Sequence, residues 1–190
     1  MITLTLAAPH RFTVAEYYGM AEAGIFAPDA HVELLEGQII DMFPIGPFHS
    51  GTVIYLANLF AKRGGERWTV SSQGPVRLGE RSEPQPDVAL LRPRADSYRT
   101  SHPAPADVFL LVEVADSSLR FDREEKLPLY ARAGIPEFWL VNLVQRVLEV
   151  YRYPFPQAGI YRESARLSEG AQAAPAAFPD VTLSVAELLS

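Results

Sequence analysis

The sequence contains no cysteine among its 190 residues, so neither disulfide bonds nor thiolate metal sites can contribute to this protein. It also has no apolar run that approaches membrane-spanning length. The apolar start, residues 1–8, is short and lacks the basic leader that signal peptides carry. We therefore expect no membrane attachment and no secretory leader, and the absence of cysteine is compatible with a cytoplasmic location.

A positive net charge, which nucleic-acid-binding domains usually carry, is missing as well. The chain has 17 Lys and Arg against 23 Asp and Glu, which gives a net charge of −6. Either cation-binding carboxylates supply part of this excess while basic residues are locally concentrated, or the protein does not bind nucleic acid strongly. The candidates for such a basic surface are Lys62, Arg63, Arg92, Arg94 and Arg99.

The length and composition indicate a single domain over residues 1–190. A chain of this length can bury a sizeable core without covalent cross-links. Apolar residues make up 48% and charged residues 21% of the sequence, as is ordinary for a globular protein.

The hydrophobic pattern predicts an α/β fold, in which helices flank a central mixed sheet. Thr13 and Glu16 form a capping box for a first helix, and Glu36-Gly37 is the turn of a hairpin. A second helix is predicted from about Phe48 to Arg63. Further strands are predicted at 68–70, 76–78, 88–91, 108–114, 137–142, 147–152 and 160–167, and further helices at 119–133 and 185–189. The unit 108–142 predicts a right-handed crossover if its strands are parallel neighbours.

Two carboxylates lie at the ends of apolar strands. Asp87 precedes the run 88–91, and Glu113 follows the run 108–112. A carboxylate embedded in apolar sequence is costly to bury unless it is paired or binds a cation. Oxygen ligands of this kind suit Mg²⁺ or Mn²⁺, and the backbone carbonyl of Val114 is a candidate further ligand. The alternative is that each acid simply ends its strand and faces solvent.

A lysine follows on the next predicted helix. Asp122, Lys126 and Tyr130 recur every four residues and therefore share one helix face. An ammonium group close to a metal could orient the attacking water or stabilise negative charge in phosphoryl transfer. The alternative is an exposed Asp–Lys pair that contributes only a few tenths of a kcal/mol.

Three further residues are candidates for the same site. Glu33, in the first strand, could be a third acid that holds a second metal ion or a metal-bound water. His49 lies on the apolar face of its helix, one turn before Val53, and could contact a phosphate or assist the water. It could equally be a hydrogen-bonded core histidine. Tyr130 is the second candidate for a substrate contact.

The ordered set of motifs resembles the Uma-two family of restriction-type endonucleases, over about Phe12 to Tyr151. The residues that carry the resemblance are Val32 to Met42, Pro44, Gly46, His49, Pro86-Asp87-Val88, Glu113-Val114, Ser117, Asp122, Lys126, Tyr130 and Gly134 to Val141. The family is similar to the PD-(D/E)XK nuclease superfamily.

The resemblance implies a restriction-endonuclease-like core. It also implies metal binding by Asp87 and Glu113, with Lys126 as the catalytic lysine and Glu33 as the accessory acid. One departure concerns the lysine, which in the superfamily usually lies two residues after the second acid. Here that position is Ala115, and the family pattern places the lysine on the following helix. A homodimer is a further inference from the family.

Three functions are therefore open at this point. The first is a magnesium-dependent endonuclease that cleaves DNA. The second is a catalytically silent module that binds nucleic acid or protein on the nuclease fold. The third is a metal-dependent hydrolase of a small phosphoester, which would need no basic groove for DNA.

Overall fold

The protein contains helices interspersed among runs of strands. Its structure, a computed structural model, describes residues 8–42 and 44–189. Residues 1–7, in which no secretory leader is expected, lie outside this part. In chain order the helices and strands are α1 (Val14–Glu22), β1 (Val32–Leu35), β2 (Gln38–Asp41), α2 (Pro47–Gly64), β3 (Thr69–Ser72), β4 (Val88–Leu91), a 3₁₀ turn (Pro105–Asp107), β5 (Val108–Ala115), α3 (Leu119–Phe121), a π-helical turn (Asp122–Lys126), α4 (Leu127–Arg132), β6 (Glu137–Asn142), β7 (Val147–Phe155), β8 (Ile160–Ser168), β9 (Gln172–Ala173), β10 (Leu183–Ser184) and α5 (Val185–Leu188).

Strands β3 to β8 form one mixed sheet in which neighbours in sequence are neighbours in space. Strands β5 and β6 run parallel, and the other four neighbouring pairs run antiparallel. The helical segment between β5 and β6 is thus the crossover connection that a parallel pair requires. The predicted α/β fold with a mixed central sheet is confirmed.

The central strands β4, β5 and β6 are buried on both faces of the sheet. Along β6, Trp139 and Val141 pack into the core cluster that includes α2 and α5, whereas Phe138 and Leu140 pack into the cluster on the other face, which includes α4. Each of these four side chains is fully buried. Burial of one such side chain stabilises the fold by about 1.5–3 kcal/mol, so the two layers fix the position of β6 and of its neighbours.

The predicted helix 119–133 is divided by a π-helical turn. Pro128 has no N–H group, and its ring conflicts with the carbonyl of the residue four positions earlier, which is Glu124. The turn before Pro128 widens accordingly: the N–H of Leu127 donates to the carbonyl of Asp122, five residues back. Residues 119–132 are nevertheless helical throughout, close to the predicted span, and Pro128 was the available signal for the wider turn.

The hairpin β1–β2 forms as predicted, but apart from the six-stranded sheet. Its turn places Glu36 at φ 48° and Gly37 at φ 77°, the left-handed conformation of a two-residue hairpin turn. Residues 76–78, in contrast, form no strand. The N–H groups of Val76 and Arg77 donate to the carbonyls of Pro84 and Pro103, so loop contacts replace a strand ladder.

The capping box of α1 is confirmed, since the Thr13 side chain accepts from the Glu16 N–H and the Glu16 side chain accepts from the Thr13 N–H. Among the described residues, no helix has the length and apolar character that crossing a membrane requires.

Candidate active site

The sheet register brings Asp87 and Glu113 together. Val88 pairs with Val112 in the antiparallel ladder of β4 and β5, so Asp87, one residue earlier, lies beside Glu113. The backbone N–H of Val114 donates to Asp87 Oδ2 at 2.8 Å, which fixes the Asp87 side chain against β5. Both carboxylates line the same cleft. Two acids 26 positions apart in the sequence therefore share one site.

Lys126 reaches this pair from the π-helical turn. Its Nζ lies 3.0 Å from Glu113 Oε1 and 3.4 Å from Glu33 Oε1, and its side chain is buried. Lys126 thus places an ammonium group beside the acids, which the alanine at position 115 cannot do.

Tyr130 lies behind Glu113. Its hydroxyl donates to Glu113 Oε1 at 2.6 Å, and its side chain is fully buried. It is not among the residues that line the cleft. In this conformation Tyr130 therefore contacts a carboxylate of the site, and a substrate in the cleft would not touch it.

Glu33 and His49 complete the inner wall of the cleft. Glu33 Oε1 accepts from the Gln85 N–H at 3.0 Å, and Glu33 Oε2 is buried without a hydrogen-bond partner among the described residues. His49 Nε2 lies 3.1 Å from Asp87 Oδ2, and its Nδ1 is buried without a partner in the same part of the chain. Both residues line the cleft, and each has one buried polar atom without a hydrogen bond in that part of the chain.

The cleft has a volume of about 1030 Å³ and an acidic lining. Lys126 is the one Lys or Arg among its described lining residues. The acids Asp29, Asp41, Asp116 and Asp122 also line it. The candidate basic residues lie elsewhere: Arg94 pairs with Asp96, and Arg92 packs over the ring of Phe109.

Burial and charge shift the titration of these acids. Desolvation, together with the nearby charge of Asp87, raises the pKa of Glu113 well above its usual range, although Lys126 opposes the shift. Desolvation likewise raises the pKa of Asp122 to about 6, against the opposing effects of Lys126 and of the Ser118 hydroxyl. Part of the cluster therefore holds protons at a pH where exposed carboxyls are ionised.

The opposite holds for the lysine. Desolvation alone would lower the pKa of Lys126, but the charges of Glu113 and Glu33 outweigh it and raise the pKa. The ammonium form is therefore the one present at every physiological pH, and Lys126 cannot serve as a general base.

The chemistry of the donor set fits a divalent cation. The four acids Glu33, Asp87, Glu113 and Asp122 act on the single ammonium of Lys126, and a divalent cation would favour the ionised form of those that burial keeps protonated. Nevertheless, within 8–42 and 44–189 no three His, Asp or Glu side chains form a ready-made metal site. Lys126 lies between Glu33 and Glu113, and Asp87 and Glu113 are the carboxylates of the cleft that could hold a metal ion together.

These shifts predict that the metal-free protein loses stability as the pH rises. A carboxyl whose folded pKa exceeds its unfolded pKa binds more protons in the folded state, so the free energy of unfolding falls as the pH rises between the two values. For Asp122, whose folded pKa is about 6, we expect a fall of about 1–3 kcal/mol between about pH 4 and 6, and Glu113 continues the fall to higher pH. Urea unfolding in EDTA measures it. Asp122→Asn should flatten the profile, and an unchanged profile in that variant would contradict the assignment.

Several site residues were not predicted from the sequence. Asp122 was recognised on the helix face of Lys126 but not as part of the acidic cleft, although its four-residue spacing was the available signal. Gln85, which binds Glu33 through its backbone, had no signal beyond its proximity to Asp87.

Comparison with known proteins identifies the class of the fold. A crystal structure from Anabaena variabilis, described as "a putative nuclease belonging to DUF820", matches with a TM-score of 0.72 and 16% sequence identity. The match covers 94% of this chain and 97% of that one, and it assigns a nuclease fold. The Uma2 family, described as "Putative restriction endonuclease", matches residues 14–186, and the chain belongs to this family of nucleases. No curated protein matches the chain.

Proposed function

We propose that the protein is a divalent-metal-dependent endonuclease that hydrolyses phosphodiester bonds in DNA. The observation that carries the proposal is the convergence of Asp87, Glu113 and Lys126 at one end of a cleft, with Nζ 3.0 Å from Glu113 Oε1. Membership in a family of restriction-type nucleases supports the same reaction class.

In this proposal Asp87 and Glu113 hold Mg²⁺ or Mn²⁺, and the carbonyl of Val114 is the proposed third ligand from the chain. When bound, the ion polarises the phosphate and lowers the pKa of a coordinated water. The chain keeps the two acids in place, since the Val114 N–H and His49 bind Asp87, and Lys126 and Tyr130 bind Glu113.

Lys126 provides a fixed positive charge. Because its ammonium stays protonated, its role is to stabilise the negative charge that develops on the phosphate and to orient the attacking water. Glu33 Oε2, which has no hydrogen-bond partner among the described residues, is the proposed acceptor for that water. His49 would donate from Nδ1 to a phosphate oxygen in its doubly protonated form. Desolvation disfavours that form, but the neighbouring Asp87 outweighs it and raises the pKa of the ring. Tyr130 acts behind them as a positioning residue for Glu113.

The test is cleavage of supercoiled plasmid DNA by the purified protein with Mg²⁺, Mn²⁺ or Ca²⁺, or with EDTA alone. We expect nicked or linear product with Mg²⁺ or Mn²⁺ and none with EDTA. If Mn²⁺ binds by calorimetry but no plasmid, single-stranded DNA or RNA is cut, the protein is a silent binding module instead.

One observation favours a second function, the hydrolysis of a small phosphoester. Duplex DNA is usually gripped by many basic side chains, whereas Lys126 alone among the described lining residues is basic. Bis-p-nitrophenyl phosphate and plasmid DNA, assayed side by side with Mn²⁺, separate the two. Turnover of the small ester with intact plasmid would favour the second function.

A homodimer and a cytoplasmic location complete the proposal. Cleavage of both strands of a duplex uses two sites, and a dimer would supply them. Sedimentation equilibrium with the 21.0 kDa chain measures the state directly. The dimer would be contradicted if the protein is a monomer at assay concentrations and still cuts both strands of a plasmid in one binding event.

A further inference from the structure

Three side chains form a row across the sheet on the face that carries the site. Glu113 of β5 pairs with Leu140 of β6, and Leu140 pairs with Glu149 of β7. Paired residues on adjacent strands point to the same face, so Glu113 and Glu149 are two strands, or roughly 10 Å, apart on one surface. Each is a buried carboxylate.

Both carboxylates bind cations from the same π-helical turn. Lys126 binds Glu113, and Arg123, three residues earlier, binds Glu149 through both Nε and Nη2, with Nε 3.1 Å from Oε2. The Arg123–Glu149 contact is therefore bidentate, the arrangement that fixes both distance and orientation.

Glu149 is itself held in place by the sheet. Asn142 Nδ2 donates to its Oε1 at 3.1 Å, and the Tyr151 hydroxyl donates to its Oε2 at 2.8 Å. Within the described part of the chain, the donors to this carboxylate thus come from β6, from β7 and from the π-helical turn. Glu149 does not line the cleft, so its role cannot be contact with the substrate.

The turn needs such an anchor because it lacks regular α-helical hydrogen bonding. The turn is wider than an α-helical turn just before Pro128. The direction of the Lys126 side chain therefore depends on how the turn packs against the sheet. We propose that Arg123 is a positioning residue, and that its bidentate pair with Glu149 sets the π-helical turn so that the Lys126 ammonium lies between Glu113 and Glu33. The inference rests on the proposed function only in taking Lys126 to be catalytic.

Arg123→Gln is expected to lower kcat of the proposed nuclease by about 100-fold, since a misplacement of 1 Å in a catalytic group can cost that factor. KM and Mn²⁺ affinity should change less than threefold, because Asp87, Glu113 and the cleft are untouched. Arg120→Gln is the matched control: Arg120 is exposed, its ion pair among the described residues is with Glu124, which is also exposed, and its loss should leave the kinetics unchanged.

A second readout does not depend on activity. The chain has two lysines, Lys62 and Lys126, so protein labelled with ¹³Cε,¹⁵Nζ-lysine gives two side-chain signals. Arg123→Gln and Glu149→Gln should each shift the Lys126 signal and speed exchange of its ammonium protons more than tenfold. The exposed Lys62 should be unaffected, and Arg120→Gln should change neither signal.

The two readouts separate the possible failures. If the wild type cuts no substrate but Arg123→Gln still displaces the Lys126 signal, the positioning holds and the proposed nuclease activity is wrong. If the Lys126 signal is unchanged in folded Arg123→Gln and Glu149→Gln, the positioning proposal is overturned, whatever the activity. If Arg123→Gln does not fold, Arg123→Lys decides in the same way, because it keeps the charge but loses the bidentate contact.

Discussion

Replacing Lys126 with methionine is expected to abolish metal-dependent cleavage, with at least a 100-fold loss of rate. Methionine keeps an unbranched side chain of similar length but removes the ammonium group beside Glu113 and Glu33. Loss of one preorganised charge partner in a water-poor site typically costs about 10²–10³ in kcat. Plasmid cleavage under single-turnover conditions measures it, and Lys62→Met, on the exposed end of α2, is the control that should retain full activity.

The same variant carries a stability signature. Without the ammonium, Glu113 and Glu33 are buried acids with no cation, so their folded pKa values rise further above the unfolded ones. The variant should therefore lose most stability at alkaline pH, by up to about 3–5 kcal/mol near pH 8, and the loss should shrink toward pH 5 as the acids become protonated. Urea unfolding at both pH values tests this. An equal loss at the two values, or wild-type cleavage rates, would refute the assigned role of Lys126.

The second large effect is expected for the acid pair. Asp87→Asn and Glu113→Gln keep the shape of each side chain and can still accept from the Val114 N–H and from Lys126. Each removes one anionic oxygen ligand, so we expect Mn²⁺ affinity to fall by at least about 100-fold (2.7 kcal/mol or more) and cleavage to be lost. Isothermal titration calorimetry with Mn²⁺ measures the binding.

The sheet supplies a matched control for these variants. Glu137 is a fully buried carboxylate on β6 that binds Trp139, Arg152 and the N–H of Ala176, away from the cleft. Glu137→Gln is expected to cost stability but to leave Mn²⁺ affinity unchanged. If Asp87→Asn and Glu113→Gln bind Mn²⁺ as the wild type does, the proposed metal site is wrong.

Much of the site could be predicted because its members sit at points where apolar runs end. Asp87 and Glu113 each lie at the end of an apolar run that is easy to recognise as a buried strand. The four-residue spacing placed Lys126 on the same helix face as Asp122 and Tyr130. The sequence could not show that this face packs toward the sheet rather than toward solvent. That outcome depends on the parallel pairing of β5 and β6, which is a long-range property.

Other features escaped sequence reasoning for local reasons. Pro128 accompanies a wider, π-helical turn within the predicted helix, and the spacing of the apolar residues gave no sign of that turn. In the sequence, Glu149 looks like an ordinary polar residue in a strand of alternating polar and apolar residues. Its contact with Arg123 joins two residues that are 26 positions apart, which the sequence pattern does not show. The segment 76–78 has strand-like residues, but its N–H groups bind the carbonyls of Pro84 and Pro103 instead of a neighbouring strand.

The helix α2 has a practical consequence for handling the protein. His49 at its beginning lines the cleft, whereas Lys62 lies near its other end, about 20 Å away at 1.5 Å per residue. Since the side chain of Lys126 is only 2% exposed, Lys62 is the lysine that amine-directed reagents reach on the folded protein. A fluorophore coupled through Lys62 would therefore lie at the end of α2 that is remote from His49.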